Sequence, residues 1–152
     1  MKMTAFLSLF LLSLPASAGI TDGLGQWKGT GATFDQTGHE GPAFTIELER
    51  SSPSAGIVDA VGKVTLADGH IIAIRQKTTV RGNGFSLETN RGNGGGHCFG
   101  AGMCSTYEDA GNEHGFATTI ILDGDDKLRM LTTELDHGMP VRYFRQTLTR
   151  IR

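Results

Sequence analysis

The side chains best able to do chemistry crowd into one stretch, Arg91 to Gly115. It holds both cysteines, Cys98 and Cys104, the histidines His97 and His114, and Tyr107, Glu108, Asp109 and Glu113. An even pair of cysteines points first to a disulfide if the chain is exported, as its first residues predict. Bridging Cys98 to Cys104 closes a small ring worth about 2 kcal/mol in the chain-entropy account. Gly96, Gly100 and Gly102 let that ring bend tightly. Other cysteine chemistry fits less well. Haem attachment needs C-x-x-C-H, which this spacing does not supply. Zinc could recruit His97 and His114 with the thiols, but the cysteine spacing matches no common zinc knuckle. A catalytic thiol needs a base; His97 adjoins Cys98, where extended residues face opposite ways, and His114 is the other candidate. An acid–base enzyme built on this stretch would use His97 or His114 with Tyr107 and Glu108.

Elsewhere the reactive residues are scattered. His39, His70 and His137 each sit in a turn context near glycine, and no H-x-H or H-E-x-x-H spacing occurs. Asp123, Asp125 and Asp126 surround Gly124, without the spaced ligands and distal Glu of a calcium loop. Neither G-x-S-x-G nor a phosphate-binding loop is present; Gly92-Asn93-Gly94-Gly95-Gly96 lacks the following Lys-Ser/Thr. The residue pattern therefore assigns no catalytic residue, metal site or cofactor. Haem would need one well-placed axial histidine, and none of the five is marked out.

The elements that must carry these residues are strands. Phe44, Ile46 and Leu48 alternate with Thr45, Glu47 and Glu49, as a half-buried strand requires. Val58, Ala60, Val64 and Leu66 share a face with Gly62, and Asp68-Gly69 separates this run from Ile71–Val80, a strong hairpin signal. Ile72, Ile74 and Val80 share the next face. Gly82-Asn83-Gly84 then turns the chain into Phe85–Asn90. Phe116, Thr118, Ile120 and Leu122 alternate up to Asp123; Leu128, Met130 and Thr132 follow, and a last strand runs from Val141 to Ile151. With a first strand at Gly25–Phe34 and a weak one near Ser105–Tyr107, about eight strands are expected. No apolar run keeps helical spacing. Short strands joined by turns predict an all-β, antiparallel up-and-down barrel, with a two-sheet β-sandwich as the alternative. Arg91 to Gly115, about 25 residues, reads as a long loop near the barrel mouth, the kind that is usually functional. Inward positions would include Phe44, Ile46, Val64, Ile74, Leu87, Phe116 and Met130.

Gly25-Gln26-Trp27 is a G-x-W motif carrying the only tryptophan, and the chain closes on a strand holding Arg142, Arg145 and Arg150. This pattern resembles the calycin superfamily, which includes lipocalin-like, fatty-acid-binding-protein-like and nitrobindin-like barrels. The resemblance implies that Trp27 plugs one barrel end as a structural residue, with a basic residue of the last strand across its indole. Arg145 and Arg150 point to opposite faces of a regular strand, and Arg150 is the expected partner. A guanidinium over an indole contributes about 0.5 to 2 kcal/mol. The resemblance also implies a haem option of the nitrobindin kind.

The chain start bears on the compartment. One charge at Lys2, an apolar stretch from Ala5 to Leu14 and Pro15-Ala16-Ser17-Ala18 together form a secretory signal peptide. Cleavage after Ala18 would leave residues 19–152 as one β-barrel domain, periplasmic or secreted. The apolar stretch falls short of the roughly 20 residues a spanning helix needs, so no membrane span is expected in the mature form. The formal charge of −2 offers no basic excess for nucleic acid. The expected function is the binding of a small apolar or amphipathic molecule, with His97, Phe99, Tyr107, His114, Phe116 and Met130 as candidate ligand contacts. The alternatives are a protein–protein interaction or inhibitor module, which would use the Gly19–Gly23 leader or a loop, and an enzyme using the 91–115 stretch.

Overall fold

The computed structural model describes residues 23–99 and 102–151, so the expected signal peptide at 1–18 lies outside the described residues. Ten antiparallel strands follow one another along the chain: β1 (Gly25–Phe34), β2 (Glu40–Ser54), β3 (Ile57–Leu66), β4 (Ile71–Arg81), β5 (Gly84–Thr89), β6 (Asn93–Phe99), β7 (Met103–Gly111), β8 (His114–Asp123), β9 (Lys127–Asp136) and β10 (Met139–Arg150). Each pairs with its chain neighbours, and β10 pairs with β1, so the sheet closes into a barrel. Closure rules out the sandwich and leaves no free edge along the full length of the sheet. The count is ten where about eight strands are expected from the alternation.

The difference lies in Arg91 to Gly115, which is a hairpin in the barrel wall and not a loop at the mouth. Two features hide it from pattern reading. The inward residues of β7 are Cys104, Thr106 and Glu108, all buried, so no apolar alternation marks that strand. On β6, glycine is required by the close approach of the next strand. A Cβ at Gly94 would lie 2.1 Å from the Tyr107 carbonyl oxygen, and one at Gly96 would lie 2.2 Å from that of Ser105. Cys98 and Cys104 face each other across this hairpin and are joined as a disulfide. The bridge clamps the strands where they reverse.

A turn forms at Asp68-Gly69 between β3 and β4, but the connection is longer than the two-residue loop expected, since the Leu66 amide pairs with the His70 carbonyl and Ala67 joins the turn. Gly69 takes φ 84°, and the Asp68 carboxylate accepts the His70 amide at 2.9 Å. Alternation sends Phe44, Ile46, Val64, Ile74, Leu87, Phe116 and Met130 into one continuous core.

Up-and-down order places the starts of odd-numbered strands and the ends of even-numbered ones at the same barrel end. That end is closed by Trp27, which is 1% exposed and donates its indole N–H to the Gly23 carbonyl at 3.2 Å. The Arg150 guanidinium lies over the indole, 4.8 Å from the ring centre, and Arg50 donates to the same Gly23 carbonyl at 2.6 Å. Burial, with the Arg150 charge adding to it, pushes Arg50 down to about 9. The disulfide sits at this same end, away from the mouth.

Candidate functional site

At the opposite end, inward alternation runs out of apolar residues and meets charge. Glu108 on β7, Phe116 on β8, Glu134 on β9 and Arg142 on β10 form one cross-strand row. One step deeper the row is Thr106, Thr118, Thr132 and Phe144, and below that Cys104, Ile120, Met130 and Gln146. The inner wall thus grades from ionic at the rim, through hydroxyl, to mainly apolar.

The rim charges are paired. Glu108 is fully buried; it accepts a hydrogen bond from Arg91 at 2.6 Å and another from the Thr89 hydroxyl. Arg91 stacks over Phe116 at 4.5 Å. Burial lowers the pKa of Arg91, while the Glu108 and Glu134 carboxylates act in the opposite sense. Glu134 shares a hydrogen bond with His114 Nε2 at 3.0 Å, and its second oxygen lies 3.6 Å from Arg142 Nε. His114 Nδ1 is 3.9 Å from Asp136, and its ring meets Phe116 edge-on.

Beside this network the mouth holds a cavity of about 430 Å³ between the β1–β2 hairpin, the end of β3 and the start of β10. Phe34, Phe44, Leu66, Val141 and Phe144 supply its apolar lining, and Arg142 connects it to the charged row. Asp35 also borders it, but its carboxylate is occupied by the Thr37 hydroxyl at 2.6 Å and the amides of Thr37 and His39 at 2.8 and 2.9 Å. These bonds, led by that from Thr37, hold Asp35 below the usual carboxylate range.

The candidate ligand contacts are separated by the wall. His97, Phe99 and Tyr107 lie on the outer face and are exposed, whereas Phe116 and Met130 are buried inside and His114 stands half-buried at the rim. The acid–base grouping of His97, His114, Tyr107 and Glu108 does not converge, because Glu108 points inward and His97 and Tyr107 outward. A zinc or nucleophile role for the cysteines is overtaken by their bond to each other. Among the described residues, no group of three His, Cys, Asp or Glu side chains converges as metal ligands would.

Arg91 and Glu134 were not among the candidate contacts, and of the cavity wall only Phe44 was named as an inward position. Glu134 had a usable signal, since it continues the inward parity of Leu128, Met130 and Thr132. Arg142 shares parity with Phe144. The cavity itself had none, for its wall joins the first, second, third and last strands.

No family model matches the chain, and no curated protein matches it in sequence. Solved structures do match. Rv2717c from M. tuberculosis superposes with a TM-score of 0.66 at 16% identity, over 88% of this chain and 95% of that one. The S-type phycobiliprotein lyase CPES from Guillardia theta gives 0.64 at 6% identity, over 86% and 88%. A DUF3598-family protein of unknown function from Nostoc punctiforme gives 0.66 at 16%, over 86% of this chain; the match spans 48% of that protein. The chain shares a β-barrel fold with them. At such identities the likeness extends to the fold alone.

Proposed function

We propose that this chain is an exported, lipocalin-like protein that binds a small amphipathic molecule in the open end of its barrel. The observation that carries the reading is the cavity of about 430 Å³, whose size and mostly apolar wall with few polar groups suit a small-molecule site. Arg142 at its edge offers hydrogen-bond donors to a polar end, and the Phe44, Leu66 and Phe144 side chains cover the apolar part. Export rests on the Met1–Ala18 pattern. Ligand binding by a barrel of this architecture also agrees with the lyase among its structural neighbours.

The test is uptake of Nile red, together with native mass spectrometry of protein purified from its own host. One bound dye per chain is expected, and Leu66→Trp, which fills the cavity, should abolish uptake while the far-ultraviolet circular dichroism stays unchanged. Absence of both dye uptake and a copurifying molecule would sink the reading. The interaction-module alternative draws on a different surface. Phe99, Met103 and Ile121 form an exposed apolar row across β6, β7 and β8 beside the disulfide.

A further inference from the structure

Gln146 lies on β10, one inward position below Phe144 of the cavity wall. It is 1% exposed, and neither its amide oxygen nor its amide nitrogen has a hydrogen-bond partner among the described residues. A buried amide with both ends unsatisfied is costly, and native interiors seldom retain one without a partner. Its cross-strand neighbours are Gly31 on β1 and Met130 on β9, and its inward neighbours along β10 are Phe144 and Leu148. None of these carries charge. Phe44, which lines the cavity together with Phe144, packs against Gly31, the cross-strand neighbour of Gln146. It pairs with Gly31 from the other side, and its ring takes the space of a glycine Cβ, which would lie 2.2 Å from Cζ. Glycine at position 31 is what lets the ring lean over β1 towards Gln146.

Resting on the cavity reading above, we infer that Gln146 is the polar floor of the ligand site, reached when the Phe44 ring swings aside, and that it selects a neutral head group carrying both a hydrogen-bond donor and an acceptor, such as a carboxamide. The chemistry follows from the side chain. A glutamine amide presents one acceptor and two donors in a plane, so its matched partner is another amide-like group. A carboxylate would leave the Gln146 oxygen facing a second acceptor and would have to shed its hydration among apolar neighbours. Charged heads are therefore directed to Arg142 at the rim, and neutral ones go deeper.

The experiment compares dodecanamide with dodecanoate by displacement of Nile red from the full chain. Dodecanamide should bind at least tenfold more tightly than dodecanoate. Gln146→Leu should remove that preference, the affinities for dodecanamide and dodecanoate converging in the same assay. In wild-type protein labelled with ¹⁵N, the Gln146 side-chain NH₂ resonances should shift with dodecanamide and not with dodecanoate, a readout that does not depend on the variant folding. Equal affinities, unshifted Gln146 resonances, or a dodecanoate preference lost in Arg142→Gln would overturn the inference and leave the cavity reading standing. Failure of the wild type to take up Nile red, with no copurifying molecule, would instead remove the cavity reading, and this inference with it.

Discussion

Glu108 illustrates what a single buried charge demands. Its carboxylate is out of water and is held by Arg91 and Thr89. A buried pair contributes little net stability over a well-packed apolar pair, yet removing one partner leaves the other charge stranded. Glu108→Gln should therefore cost about 3 kcal/mol, read as a lower urea midpoint at unchanged slope. Combining it with Arg91→Met should recover most of that loss, because the stranded guanidinium goes too. Two independent, additive losses would show that the pair does not act as a unit. Gln146 is the contrasting case, a neutral group whose partner is not among the side chains around it.

At the scale of elements, turns and hairpins set the shape of the mouth. The β1–β2 turn is tied by the Asp35 carboxylate, whose pKa is depressed by the hydrogen bonds it accepts. For an acid with a folded pKa below its unfolded value, the stabilisation is present above the unfolded value. It is lost as pH falls through the folded one. The Thr37 and His39 amide resonances should therefore titrate together with a midpoint below 3.8, the ordinary value for this group. Opening of the turn should follow at lower pH, with faster amide exchange there than in β3. A midpoint at or above the ordinary value would mean that the hydrogen bonds do not persist in solution. The β6–β7 hairpin shows the limit of pattern reading at this scale. Its strands are real, but their inward faces carry Gly94, Gly96, Thr106 and Glu108, and a rule that searches for apolar alternation passes over them.

The whole molecule is a barrel with unlike ends. One is sealed by Trp27, Arg150 and Arg50, and the other is open beside the charged row. Since Trp27 is the only tryptophan and is almost fully buried, its emission should be blue-shifted and poorly quenched by iodide. Dodecanamide binding at the mouth should leave that emission unchanged; a large shift would place the ligand at the sealed end. Much of this architecture was legible in the chain. Alternation from Phe44 to Leu48, the Asp68-Gly69 turn and the apolar parity of Phe116 to Leu122 each determine local strand geometry, because a strand reverses its faces every residue. Trp27 and its closing arginine were legible as a motif. Closure was expected from the succession of strands, but the register that achieves it and the site were not legible. The cavity brings Phe34 and Phe44 beside Val141 and Phe144, residues about a hundred positions apart, and the pairing of β1 with β10 that joins them depends on the summed twist and stagger of all ten strands. Which charges end up buried together was decided by that register, and no local pattern encodes it.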